Sequence, residues 1–403
     1  MSVLNSRIVL VKKLNTESNE IALIQSAIGM RDELERRSVE IDKQGYLPQD
    51  LACQLSALGF YRLIVPESLG GLGVSPETFC KICEHLGSAN GSAAWCVFIG
   101  TTSQYLFGAL PSDQLEKMLE DPNVITSGVF ADSGTALRET RAGVDGYRIN
   151  GHWRWGSGCR NAAWISGGIH EIDEEGQRIE KSAPLTRVFF RPDEIDIQDN
   201  WQVSGLRGSG SNDFVAEDVW VPVERMAGDI EDTEYATLPI YRFPKFALLG
   251  IPIGAICLGM ARASIEEVIK VSKEKTPQGS RRSLAMRTSL HAEVAEADTS
   301  LRAAKALFYE DIKEGWDRAQ TVSGSLEDRR RMRSSTVLAV NTSIEVISQM
   351  YRLVGGTSIF ETSCLQQHFR DVHVASQHMM VGQPVMELAG RVLLGLDDSA
   401  IGL

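Results

Sequence analysis

Near residue 123 the hydrophobic period of the chain changes from that of helices to that of strands, and near residue 240 it changes back. Ahead of the change, NEIALIQSAIGMRDELERRSVEIDKQ and QDLACQLSALGFYRLI place apolar residues every three or four positions, as a half-buried helix requires. Inside it, VDGYRINGHWRW reads as two short β-rich runs joined at Asn150-Gly151, a hairpin signal, and TRVFFRPDEIDI and FVAEDVWVP continue the strand pattern. Beyond it, PIGAICLGMARASIEEVIKVSKE, RTSLHAEVAEADTSLRAAKALFYEDIKEGWDRA and TVLAVNTSIEVISQMYRLVGG read as long amphipathic helices, the last stopped by Gly355-Gly356. A chain of 403 residues exceeds what one core serves. The expected organisation is therefore α+β in three parts: a helical domain over 1–122, a β domain over 123–228 and an antiparallel helical bundle over 229–403.

A formal charge of −12 argues against a nucleic-acid binder, which concentrates Lys and Arg on one face. The first twenty residues hold no sustained apolar run and no small-residue cleavage site, so no signal peptide is expected and the cytoplasm is the expected compartment. Two uncharged runs, His85 to Ser112 and Phe246 to Ala261, are interrupted by polar groups or by proline and glycine, and read as buried helices rather than membrane spans. Seven scattered cysteines favour reduced thiols. Cys80 and Cys83 form a CxxC, but on a helix capped by Ser75 with Pro76 at its first position and without the second cysteine pair that zinc would need.

Three clusters carry candidate chemistry. INGHWRWGSGCRNAAWISGG, residues 149–168, holds five glycines, three tryptophans and no acid. Strand alternation puts Trp153, Trp155 and Ser157 on one face and His152 and Arg154 on the other, so the indoles cover either a sheet interior or a flat ligand. GLRGSGSNDFVAEDVWVP, residues 205–222, is a donor-rich loop around Arg207; its glycines lack the dinucleotide spacing, and no βαβ unit surrounds them. In QQHFRDVHVASQHMMVGQPVMELAGR, residues 366–391, His368, His373 and His378 recur every five positions. That step turns a helix by roughly 140°, so the three imidazoles cannot share a metal from one face, and no metal is expected. No G-x-S-x-G elbow is present, and the paired carboxylates Glu266-Glu267 and Glu310-Asp311 read as solvated faces of bundle helices.

Together PESLGG at 66–71, NGHWRWGSG at 150–158, GLRGSGSNDFVAEDVWVP at 205–222, and GGTSIF followed by RDVH at 355–373 resemble the acyl-CoA dehydrogenase superfamily over nearly the whole chain. The resemblance implies an N-terminal helical domain, a central β domain and a C-terminal four-helix bundle. It also implies a flavin whose ring packs beside Trp155, with the Ser157 hydroxyl near N5 and the segment Ser127 to Thr135 at the other edge. Phosphate and adenosine contacts shared with a neighbouring subunit fall on Arg281, Arg282, Gly355, Gly356 and Gln383, and the assembly implied is a homotetramer.

One departure selects the branch. Counting eight residues from Asp371, the position of the glutamate that removes the substrate α-proton in many acyl-CoA dehydrogenases is Met379, and a thioether is no general base. The early bundle stretch YRFPKFALLGIPIGAICLGM, which supplies the base in other members, also lacks an acid. His378 and ANGSAAW at 89–95 instead look like the oxygenase components of two-component flavin-dependent aromatic hydroxylases. The resemblance then implies reduced flavin (FADH2 or FMNH2) delivered by a separate NAD(P)H-dependent reductase, dioxygen as co-substrate, a C4a-hydroperoxide, and hydroxylation of a small aromatic substrate. Ser157 and His378 are the catalytic candidates. Trp95 and Phe130, with His378, are candidates for the substrate wall, and Trp95 and Phe130 equally for core packing. FIGTTSQY stands where phenol hydroxylases carry a histidine, which points to an indole-like or other heteroaromatic ring. The alternatives are an acyl-CoA dehydrogenase with another base, an amino-sugar N-oxygenase on the same fold, and a non-catalytic flavin binder.

Overall fold

The computed structural model describes residues 18–179, 186–396 and 402–403. Its first helices are α1 (18–29), α2 (Arg31–Arg36), α3 (Ser38–Gln44), α4 (Gln49–Ala57), α5 (Pro76–Ala89), α6 (Gly91–Ser103) and α7 (Ser112–Met118). The Ser75 hydroxyl accepts the Thr78 N–H at the head of α5, and the Asn90 side chain accepts the Ala93 N–H at the head of α6. Twelve of the thirteen residues of α6 are buried, so this helix runs through the interior rather than over it. Cys80 and Cys83 face the core from α5, where burial pushes both thiols up, and the CxxC is packing.

Among the described residues, seven strands make one sheet: β1 (Thr126–Arg141), β2 (Val144–Gly156), β3 (Trp164–Ile172), β4 (Arg187–Phe190), β5 (Asp196–Ile197), β6 (Asn212–Pro222) and β7 (Met226–Ala227), in the order β5-β6-β2-β1-β3-β4-β7. The hairpin expected at Asn150-Gly151 is elsewhere. β2 runs straight through both residues, and the turn from β1 to β2 is Ala142-Gly143, both at positive φ (50° and 80°), the backbone that a two-residue hairpin demands. Gly151 is glycine for a different reason: a Cβ there would stand 2.5 Å from the Trp153 ring. Gly134 and Gly167 make the same room at 2.3 and 2.5 Å, so three glycines form the seat of one buried indole.

The remaining helices are α8 (Pro239–Arg242), α9 (Lys245–Glu274), α10 (Thr288–Ala319), α11 (Leu326–Leu353), α12 (Cys364–Ala375) and α13 (Gln383–Leu393), with α9 to α12 packed as the bundle. The apolar run at the start of α9 is 89% buried inside the protein, which makes it a core helix. α5 and α9 cross so closely that a Cβ at Gly259 would lie 2.1 Å from the Glu84 carbonyl oxygen, locking the N-terminal helices to the bundle.

Candidate active site

The tryptophan strip divides in two. Trp153 is fully buried, stacks on Phe214 with ring centroids 5.1 Å apart, and donates its indole N–H to the Gly168 carbonyl at 2.7 Å. Trp155, two residues on, is 65% exposed. The expectation that both share a face fails because the β2–β6 register slips between Trp153 and Gly156, and Trp155 takes φ +72°, a costly backbone for a bulky residue. Asp213 helps to hold this bulge, its Oδ1 accepting the Trp155 N–H at 3.4 Å and its Oδ2 lying 2.8 Å from His152 Nε2. The slip turns one indole out of the sheet and the next hydroxyl, Ser157, into it.

Ser157 is buried at the head of a hydrogen-bonded chain. The Trp95 indole N–H donates to its Oγ at 3.1 Å, Ser157 and Ser211 hydroxyls meet at 2.7 Å, Ser211 and Ser209 at 2.7 Å, and Ser209 donates to the Leu206 carbonyl at 2.7 Å. Because a carbonyl only accepts, the protons must all run one way, from Trp95 through Ser157, Ser211 and Ser209 to Leu206. Ser157 Oγ thus gives its own proton to Ser211 and keeps one lone pair free. Ser127 braces the turn, its hydroxyl donating to the Ser157 carbonyl at 2.7 Å. Leu206 is held in the left-handed region (φ 49°), its N–H on Asp371 Oδ1 at 2.6 Å. Burial raises the Asp371 carboxyl to about 7, and its Oδ2 has no partner. The sequence carries no local signal for the roles of Ser209, Ser211 and Asp371; Arg207, the expected centre of the GSGSND loop, is instead exposed beside a cleft of about 600 Å³ also lined by Tyr46, Arg160 and Trp201.

The three histidines separate. His368 is buried on α12 with Nδ1 2.9 Å from the Ser264 hydroxyl, and His373 packs edge-on to Phe369. α12 stops at Ala375, and His378 follows in the turn, its ring centroid 5.8 Å from that of Trp95. Its Nδ1 accepts the Met380 N–H at 3.2 Å, which fixes the neutral tautomer with the proton on Nε2. Burial, and then the nearby Arg333 cation, push its pKa down to about 4, so the ring is a neutral donor at physiological pH. No carboxylate contributes to that environment. Arg333, on α11 and itself missed in the sequence, holds the turn by donating from Nη1 to the Met380 carbonyl at 2.7 Å and to the Phe246 carbonyl at 3.3 Å. Met379 is 77% exposed beside it.

Trp95 joins the two halves, its N–H on Ser157 and its ring against His378, so α6 gathers Trp95, Ser157, Ser127 and His378 at one place with Trp155 at its margin. Phe130 is half-buried under the Arg187 guanidinium. The segment from Ser127 to Thr135 lies within strand β1; at about 3.3 Å per residue its eight steps set Thr135 about 26 Å along the strand, where its hydroxyl donates to the Asn150 carbonyl at 3.3 Å. Arg281, Arg282, Gly355 and Gly356 are exposed at one end of the bundle, where Lys275 ties the α9–α10 connection to Thr357, and Gln383 is exposed at the first position of α13, five residues past His378.

The family description "Acyl-CoA dehydrogenase, N-terminal domain" matches residues 27–120, and "Acyl-CoA dehydrogenase, C-terminal domain" matches 251–383. The chain is 30% identical over 373 residues to the flavin-dependent monooxygenase oxygenase subunit HsaA of Rhodococcus jostii, covering 86% of this chain and 91% of that one. It is 29% identical over 377 residues to the indole-3-acetate monooxygenase of Pseudomonas putida, covering 91% and 92%. In fold it is similar to XiaF from Streptomyces sp. in complex with FADH2 and glycerol, with a TM-score of 0.86 at 22% identity over 96% of this chain and 98% of that one.

Proposed function

We propose, for a chain that belongs to the acyl-CoA dehydrogenase superfamily and within it to the oxygenase components of flavin-dependent monooxygenases, that Trp95, Ser157 and His378 surround the place where reduced flavin and a heteroaromatic, indole-like substrate meet. The observation that carries this reading is the pairing of a neutral, carboxylate-free His378 with Met379 at the dehydrogenase glutamate's position. The residues fit a flavin. A bulky indole held outward at positive φ is the strained, exposed aromatic that a flat ring would cover, and Ser157 Oγ retains the lone pair that the N–H of a reduced flavin's N5 needs.

Reduced flavin held beside Trp155 and Ser157 would supply the dioxygen chemistry that no side chain of the protein provides. The protein orients and shelters. Trp155 walls the ring, Ser127 fixes the Ser157 backbone, and the serine chain keeps the Ser157 hydroxyl from rotating away. His378 presents Nε2–H as a donor, and the buried faces of Trp95 and α6 exclude water. The electrons come from a separate NAD(P)H-dependent flavin reductase.

A homotetramer is supported by apolar side chains left open near the sites assigned to shared contacts: Ile359 and Phe360 at 63% beside Gly355-Gly356, and Leu393 and Leu394 at 68% and 74% at the end of α13. Seven unpaired cysteines support the cytoplasm. The test is oxygen labelling. With NADH, flavin, a reductase and ¹⁸O₂, one labelled atom should enter an indole-type product, and none without the reductase. Bleaching of oxidised bound flavin by an acyl-CoA under anaerobic conditions would instead establish the dehydrogenase.

A further inference from the structure

We infer that Arg187 is the seat of a carboxylate, so that the substrate is an aromatic acid whose ring lies toward Ser157 and His378 and whose acid group lies between β4 and the end of α6. This rests on the monooxygenase reading above and names the substrate class of the same site.

Arg187 opens β4 and is 2% exposed. Its Cζ lies 3.7 Å from the centre of the Phe130 ring, the residue assigned to the substrate wall. Nη1 donates to the Ser166 hydroxyl at 3.1 Å. Nε has no partner, and no carboxylate pairs with the guanidinium among the described residues. What stays unpaired is the side formed by Nε and Nη2, two parallel N–H groups in the geometry that a carboxylate engages with both oxygens. A cation buried against a hydroxyl and a ring alone is among the costliest things a fold can contain. Its burial pushes the pKa down to about 9, which leaves it charged at neutral pH, and a bound anion would reverse that shift.

The surroundings point the same way. Ser166, which holds Nη1, lies beside the last turn of α6: a Cβ at Gly128 would stand 2.1 Å from Ser166 Oγ and 3.1 Å from Ser103 Oγ. The next residue, Gln104, is 1% exposed with both amide atoms unpartnered, a second buried polar group without a protein partner at this end. Lys245 at the head of α9 feels the Arg187 charge and is offset by Asp229 and Glu231; no acid offsets Arg187 itself. Along α6, the eight steps from Trp95 to Ser103 span about 12 Å, the reach of a two-ring aromatic with a short acid arm. Arg333, the other deeply buried arginine without a carboxylate, spends its charge on two backbone carbonyls and carries no such assignment.

The experiment compares indole-3-acetate with its neutral isostere indole-3-acetamide, by calorimetric binding to the full-length protein and by product formation with reductase, NADH and flavin. The wild type should bind the acid roughly 30-fold or more tightly than the amide. R187M should lose that preference while keeping its amide affinity, and R187K should retain part of it. Equal affinity of the wild type for the two, binding of neither, or a preference that survives in R187M overturns the inference. Should R187M not fold, R187K and the wild-type comparison still decide. Hydroxylation of acid and amide alike would leave the monooxygenase standing without the carboxylate seat. Selective binding of the acid with no oxygenation would do the reverse.

Discussion

Two regions flanking α6 each bury an arginine without a carboxylate, and they do so differently. At the His378 turn, Arg333 donates to the Met380 and Phe246 carbonyls, so its charge holds the backbone of two elements. At the β4 end, Arg187 reaches one hydroxyl and one ring, and among the described residues touches no backbone carbonyl that it would hold in place. Each leaves its Nε unpaired. The difference teaches how to read a buried cation: one that bonds the backbone serves the fold, while one that only costs the fold marks where a ligand must enter. Substitutions that remove the two should therefore have opposite signatures.

The largest effect is expected at Arg333. Arg333→Met strips two buried carbonyls of their donor and should cost about 2–4 kcal/mol of stability, read by urea unfolding, with hydroxylation falling as the His378 turn loosens. Arg187→Met removes an uncompensated charge, so its stability should be unchanged or higher while acid binding is lost. If both variants are equally destabilised, the distinction between the regions fails.

Next in size is His378 itself. His378→Ala should lower coupled hydroxylation by ~100-fold and release hydrogen peroxide in its place, measured as product per NADH consumed. The same ring sets a pH dependence. Its folded pKa, about 4, lies below the unfolded value of roughly 6.5, so the unfolded chain takes up a proton first as pH falls. Its contribution to stability is intact above about 6.5, declines as pH drops through that window and levels off below about 4. Activity should hold until pH nears 4, where protonation of Nδ1 breaks the bond from the Met380 N–H. Asp371 has the opposite sign. Its carboxyl is raised to about 7, so its stabilising effect is present at low pH and is lost as pH rises from roughly 4 toward 7. Asp371→Asn should flatten that upper limb in pH-dependent melting.

A smaller effect separates the serine chain from both arginines. Ser211→Ala leaves the Ser157 hydroxyl without its acceptor and Ser209 without its donor, for a stability loss of about 1 kcal/mol. Flavin affinity should fall several-fold, read by fluorescence titration, because Ser157 becomes free to rotate.

How much of this was legible in the sequence follows the range of the forces involved. Helices and strands declare themselves by local periodicity, and α5 even by its cap at Ser75 and Pro76. Trp95, Ser157, Ser127 and His378 came from a family resemblance, and the structure brings them together. Asn150-Gly151 misled because a turn signal is local, whereas Gly151 answers to the Trp153 ring packed on it from its own strand and to the neighbouring glycines of β1 and β3. The outward swing of Trp155 depends on where β6 slips against β2, a non-local fact. Arg187 did leave a trace: in TRVFF it begins a run in which all four strand residues are buried, and an arginine in a strand apolar on both faces has no solvent side to point to.

The smallest effect is expected at Trp155, and it tests the lesson of the two arginines on the backbone. A tryptophan at φ +72° with two thirds of its surface open gains the fold little from burial, so Trp155→Gly should raise stability by ~0.5–1 kcal/mol through relief of strain. The same variant should bind reduced flavin less tightly, because the indole that the fold holds out at a cost is the wall that the ring would meet. A glycine variant that is less stable than the wild type and binds flavin as well would mean that the exposed indole serves the fold, and that cost to the fold does not by itself mark a ligand's place.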